Sequence, residues 1–286
     1  MFGFLNVYKP TGMTSHDVIS VLRKISGIKQ IGHSGTLDPF AQGVLPIAIG
    51  KATRLIEYLN DDKEYLAEIS FGKATDTYDC DGRAISECNS EIALNDLQKA
   101  LKTFEGEIFQ TPPIYSAIKV KGKKLYEYAR KGQEIEIEPR KVFIERIELK
   151  SFDEESQKAQ VLIKCSKGTY IRSIAHDLGQ NLKVGAHLSE LIRTKAGDFT
   201  VDKAIFLDEI KTKEDIEKNL INPLKMLNLT QIILNEIEYK KITMGQFIDN
   251  KNSLQNDDLI ILIYNNEIKA VANVDGNLIK VKKVLV

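Results

Sequence analysis

The chain has no tryptophan, three cysteines, four histidines and seven prolines among 286 residues. Cys80, Cys88 and Cys165 are odd in number and form no CxxC, which argues against a disulfide framework and makes a reducing cytoplasm the default compartment. His16, His33, His176 and His187 show no metal-ligand spacing, so no metal site is expected. The start, MFGFLNVYKP, lacks the basic segment and apolar stretch of a signal peptide. No apolar run approaches the ~18 residues of a membrane span, so no membrane partner is expected. Net charge is absent too: 40 basic and 40 acidic residues cancel. A nucleic-acid binder of this composition must gather its cations locally.

What is present is enough for a sizeable core, since 43% of residues are hydrophobic and there are 10 Tyr and 11 Phe. The length suits one large domain plus a small one, or two medium ones. Residues 4–8 read as a strand. Thr14 or Ser15 caps a helix with Asp17 at the capping-box position, and Val18, Val21, Leu22 and Ile25 supply its buried face up to Gly27. A buried strand over 44–49 and a short helix from Lys51 follow. Residues 64–71 alternate as a strand does, and a helix is expected near 95–105. Residues 134–152 and 159–165 read as antiparallel strands, and 169–182 and 186–193 as helices. The segment 207–228 reads as a polar, mostly helical connection. Residues 229–286 read as a compact β-rich module, with a helix near 235–243, strands near 258–264, 267–274 and 278–285, and turns at Asn265-Asn266 and Asp275-Gly276-Asn277.

Chemistry concentrates in residues 31–54, IGHSGTLDPFAQGVLPIAIGKATR, where Asp38 sits among Gly32, Gly35 and Gly43. An Asp before Pro is an ordinary turn-former. On its own the stretch reads as such a turn; the surrounding glycines add weight to a reactive site, because glycine lets backbone approach a ligand closely. Residues 119–131, KVKGKKLYEYARK, hold six basic residues against one acid, with Tyr126 and Tyr128 between them. Such a run forms either a solvated face or a loop that contacts nucleic acid through phosphates and stacked bases. In CSKGTYIR, Gly168 reads as a strand-end turn and Arg172, taken by itself, as a surface residue.

Seven segments in order resemble one family. They are LNVYKPTGMTSHDV, the GHSGTLDPFAQGVLPIAIGKATR stretch, Lys63-Glu64-Tyr65, GKATDTYDCDG, QTPPIYSAIKVKGKKLYEYARKG, and CSKGTYIRSIAHDLG followed by GAHLSELIRTKAG. Together they resemble the bacterial tRNA pseudouridine-55 synthases, the TruB family, over about residues 4–200. The resemblance implies an α+β pseudouridine-synthase fold with a central mixed, mostly antiparallel sheet and a catalytic cleft. A small C-terminal β-rich PUA-like module would follow it. The implied organisation is a catalytic domain over 1–206 with an RNA-binding thumb loop about 112–142, a connection over 207–228, and an RNA-binding module over 229–286.

The implied reaction isomerises the uridine at position 55 in the T-loop of tRNA to pseudouridine. It uses no cofactor and no metal. The resemblance makes Asp38 the catalytic carboxylate, as nucleophile or base, with Arg172 orienting it and Tyr65 over the base. Tyr170 and Leu191 line the uracil pocket, His33 packs near the flipped nucleotide, and Lys9 supports the cleft. Lys119, Lys121, Lys123, Lys124 and Arg130 contact the RNA backbone. The implied partner is the tRNA T-arm, bound by a monomer with no obligatory protein partner. The alternatives are a non-catalytic tRNA-binding or folding module and a guide-RNA-dependent pseudouridine synthase subunit.

Overall fold

Local signals set the first elements. In the computed structural model, which describes residues 1–133, 135–251 and 254–285, the chain opens with the strand Gly3–Lys9. Thr14 caps the helix Ser15–Ser26, and Thr14 and Asp17 satisfy each other's backbone N–H groups. Gly27 ends it in the left-handed conformation. Val18, Ile19 and Leu22 are buried, while Val21 and Ile25 are half-buried. The inward face is thus turned by about one residue from the expected stripe.

A ten-stranded mixed sheet forms the body. Across it the strands run Ile205–Phe206, Gly3–Lys9, Gln42–Ile49, Ala186–Ala196, Lys63–Phe71, Lys158–Cys165, Arg140–Asp153 and Gly106–Gln110. The first pair is parallel, as are Gln42–Ile49 and Ala186–Ala196; the other neighbours on this path are antiparallel. This is the α+β, mostly antiparallel arrangement the sequence led us to expect. On one face, alternate residues Tyr65, Ala67 and Ile69 of Lys63–Phe71 join Ile163, Ile174 and Leu178 in the main core. The helices Leu94–Lys102 and Ile171–Asn181 cover that face.

The structure corrects three sequence readings. Residues 186–193 are not a helix but part of the strand Ala186–Ala196. Irregularities in its pairing, between Leu188 and Glu190 and between Arg193 and Lys195, shift the phase of its alternation. Leu188 and Leu191 therefore face the same core three residues apart, a helix-like interval on a strand. The strand expected from residue 134 begins at Arg140; Glu134 lies outside the described residues. In 207–228 the α-helix spans only Lys213–Lys218. Leu207, Ile210 and Ile216 pack with Val7, Val18 and Leu22, and Phe4 and Ile221 exchange backbone hydrogen bonds at 2.9 and 2.7 Å.

The C-terminal residues build a separate five-stranded sheet in the order Thr230–Ile233, Leu259–Tyr264, Glu267–Asp275, Leu278–Val284, Ile248–Asp249. Asn265 and Asn266 both have positive φ (52° and 60°), the geometry of a tight two-residue hairpin turn. Ile260 and Leu262 face a local core with Ile242 and Ile279. Ile261 and Ile263 face the other way, against Phe4, Val44 and Ala48 of the body. The uninterrupted run LIILIY follows from burial on both faces.

Candidate active site

The Asp38 loop leaves the strand Ile31–His33 and is tied down from three sides. Ser15, at the start of its helix, accepts from Leu37 N at 2.8 Å and donates to Leu37 O at 3.1 Å. Lys9 is fully buried, and its ammonium donates to the carbonyls of Pro10 (2.8 Å), Met13 (2.6 Å) and Pro39 (3.3 Å). Burial lowers its pKa to about 8, against an opposing pull from Asp38. Arg193, 1% exposed, donates to Val44 O (2.7 Å), Gly35 O (3.2 Å) and Thr36 O (3.4 Å). Gly43 has φ 109°, and a Cβ there would stand 2.4 Å from Arg193 O. Only glycine lets these two strands meet so closely.

Arg172 reaches this loop from the first turn of the helix Ile171–Asn181. Its Nε lies 3.0 Å from Asp38 Oδ2, and Nη2 donates to Asp38 Oδ1 at 3.3 Å. Nη1 donates to Asp79 Oδ2 at 3.0 Å. Further bonds run to Thr77 O (3.2 Å) and Tyr115 O (3.0 Å). One guanidinium thus bridges two carboxylates, the geometry its planar fork favours. Asp79 is itself held by Thr77 Oγ1 at 2.6 Å and Asp81 N at 3.1 Å. The preceding Tyr78 takes a positive φ of 66° and stacks on His176, ring centres 3.8 Å apart. Burial pushes the Asp38 carboxyl above the usual range, and Asp79 adds to the push; Arg172 and Lys9 oppose it. One edge of Asp38 stays open to the cleft, its side chain being 35% exposed.

The cleft encloses roughly 880 Å³. It brings together Asp38, Tyr65, Tyr170, Arg172 and Leu191. Tyr65 and Leu191 are buried in its wall, and burial raises the pKa of both Tyr65 and Tyr170. Gln110 clamps the Tyr170 backbone, donating to its carbonyl at 3.0 Å and accepting from its N–H at 2.8 Å. Lys9 stands behind the loop rather than in the cleft wall, and His33 lies beside it, half-buried, with burial lowering its pKa.

The basic residues divide. Lys119–Val120 and Lys123–Lys124 form a hairpin whose turn residues, Lys121 and Gly122, both have positive φ. Lys119, Lys121 and Lys123 are exposed, Lys124 partly so. Arg130 reaches the cleft mouth with Tyr126, whose ring lies 5.4 Å from both Lys124 Nζ and the Arg130 guanidinium. Sequence reasoning passed over Asp79, Arg193 and Gln110 as functional candidates. Asp79 lies inside the GKATDTYDCDG segment, whereas nothing local separates Arg193 from a surface arginine. Among the described residues no group of three or more His, Cys, Asp or Glu is placed to hold a metal ion. No helix among them is long and apolar enough to cross a membrane.

The family model for the N-terminal domain of TruB family pseudouridylate synthases matches residues 23–171. The chain belongs to the TruB family. The model for the tRNA pseudouridylate synthase B C-terminal domain continues the match over 172–234. Proteins named tRNA pseudouridine synthase B share this lineage. That of Caldanaerobacter subterraneus is 47% identical over 92% of this chain and 91% of its own. That of Carboxydothermus hydrogenoformans is 42% identical over 99% and 98%. An H/ACA ribonucleoprotein bound to a substrate RNA containing 2′-deoxyuridine holds a chain that superposes with a TM-score of 0.73 at 25% identity, covering all of this chain and 85% of that one. An archaeal box H/ACA complex gives 0.71 at 25% identity, covering 99% and 86%. This TruB-family chain is a pseudouridine synthase, an isomerase.

Proposed function

We propose that this TruB-family enzyme isomerises the uridine at position 55 in the T-loop of tRNA, acting without guide RNA or partner protein. The observation that carries this reading is Asp38, gripped by Arg172 at the open edge of a cleft walled by Tyr65, Tyr170 and Leu191. The names of the bacterial relatives support tRNA as the substrate.

The target uridine must leave its stack to reach a carboxylate set this deep. An apolar and aromatic slot suits a flipped uracil, with Tyr65 against the ring. Asp38 then attacks C6 or C1′, or takes the C2′ proton. All three routes require the ionised carboxylate, which Arg172 keeps oriented and charged. Arg130, Tyr126 and the lysine hairpin suit an RNA strand entering over the cleft mouth. The rearrangement gains and loses no atoms, so its balance calls for no redox partner.

Purified protein mixed with an unmodified T-arm minihelix is the direct test. Pseudouridine at the position equivalent to 55 is expected from the wild type alone, and none from Asp38→Asn, which should still bind RNA. Product only after a guide RNA or a second protein is added would favour a guide-dependent subunit. RNA binding without any product would favour a non-catalytic module.

A further inference from the structure

Four cations are buried at or near the cleft among the described residues: Lys63, Arg172 and Arg193 line it, and Lys9 lies behind the Asp38 loop. Arg172 has two carboxylate partners. The hydrogen bonds of the other three run to backbone carbonyls. Lys63 and Arg193 converge on one spot. A Cβ on Gly35 would lie 3.7 Å from Lys63 Cε and 3.8 Å from Arg193 Nη1. Lys63 stands two residues before Tyr65, on the same face of the strand Lys63–Phe71. Tyr65 pairs in register with Arg193, and Lys63 with Ala196 on one side and Cys165 on the other. The cleft floor beyond Tyr65 therefore carries positive charge; among the described residues the carboxylates that act on Lys63 are the half-buried Asp61 and the exposed Asp62.

The donors of these groups are differently committed. Arg172 is engaged by Asp38, Asp79, Thr77 O and Tyr115 O, and Arg193 by three carbonyls. Lys63 gives one bond, to Asp61 O at 2.7 Å, and an ammonium has three N–H donors. Lys63 also lines the cleft. Burial and the nearby Arg193 lower its pKa to about 8, against Asp61, Asp62 and Cys165. A cation kept in such a place awaits an anion.

We infer that Lys63, backed by Arg193, carries the negative charge of the uracil base while it is detached from its ribose. The inference rests on the function proposed above. When the N1–C1′ bond breaks, its electron pair leaves with the base, giving a uracil anion with charge spread over N1, O2 and O4. The deficit at C1′ is met by an ester bond to Asp38 or by loss of the C2′ proton to it. The base turns and C5 bonds to C1′, as the Asp38 ester bond breaks or as Asp38 returns its proton to C2′; the C5 proton is then lost and N1 is protonated. The anion exists only between these steps, so a fixed ammonium favours the transition state over bound uridine. It also keeps the free base from leaving the cleft.

The test compares wild type, Lys63→Met and Lys63→Arg in single turnovers on minihelices with uridine or 5-fluorouridine at the target. Fluorine withdraws charge, so the 5-fluorouracil anion needs less help. Consumption of the target nucleoside is followed by chromatography of digests, and RNA binding and melting temperature are measured alongside. Lys63→Met is expected to lose about 100-fold in rate on uridine, with RNA affinity unchanged. Its loss on 5-fluorouridine should be clearly smaller, and Lys63→Arg should recover most of the rate. If Lys63→Met does not fold, Lys63→Gln replaces it. Equal losses on both substrates would overturn the inference, as would an unchanged rate on uridine. Absence of product from the wild type would instead overturn the functional reading and this inference with it.

Discussion

Asp38 is pulled two ways, and the balance is measurable. Burial and Asp79 raise its pKa; Arg172 and Lys9 lower it, and the net direction is upward. The reading above requires the ionised form, so activity should fall as pH falls through that raised value. The midpoint of the acid limb of the single-turnover rate is therefore expected above ~3.9, the value of a free Asp. Asp79→Asn removes a repelling charge and leaves Arg172 to Asp38 alone. Both effects lower the pKa, so the acid limb should move down. It should also lose rate at neutral pH, because the guanidinium is no longer fixed from behind. An acid limb at or below ~3.9 that Asp79→Asn leaves in place would contradict this account. Asp38 and Arg172 were legible as candidates through motif resemblance. Their pairing is a tertiary fact, since 134 residues separate them.

At the scale of elements, the clearest contrast is between the two tight turns and the strand Ala186–Ala196. Lys121-Gly122 and Asn265-Asn266 both adopt positive φ; Gly and Asn signal that conformation locally, whereas Lys121 is held in it by the pairing of Lys119–Val120 with Lys123–Lys124. Ala186–Ala196 is read wrongly from its own residues, because a pairing irregularity puts Leu188 and Leu191 in one core at a helical interval. Its partners, Lys63–Phe71 and Gln42–Ile49, decide the matter. The lysine hairpin supports a prediction of its own. Lys121 and Lys123 are exposed and Lys124 partly so. Replacing all three by Ala should weaken RNA binding and flatten its salt dependence by about 2 units of log–log slope. Affinities from 50 to 300 mM salt measure this, and an identical slope would mean the hairpin is only a solvated face.

Over the whole molecule, the C-terminal sheet is joined to the body through apolar packing. Ile261, fully buried, packs in one cluster with Phe4, Val44 and Ala48. Arg54 donates to Val284 O at 2.8 Å, and Lys283 pairs with Glu57. The two parts are expected to unfold as one cooperative unit. Ile261→Ala should lower stability by roughly 2–5 kcal/mol and move that single transition. Calorimetry showing two transitions, with only the smaller one shifted, would refute the coupling.

By itself the sequence determined the capped helix Ser15–Ser26, the alternating strand Lys63–Phe71, the C-terminal hairpins and, through its motifs, the family. These rest on interactions within a few residues, or on residue patterns visible without coordinates. Only the tertiary structure decided that Ala186–Ala196 is a strand at the centre of the sheet. It also decided that Arg172 bridges Asp38 to Asp79 and that Lys63 and Arg193 meet beneath Gly35. A buried charge is specified by what surrounds it, and its neighbours come from strands and loops far apart in the chain.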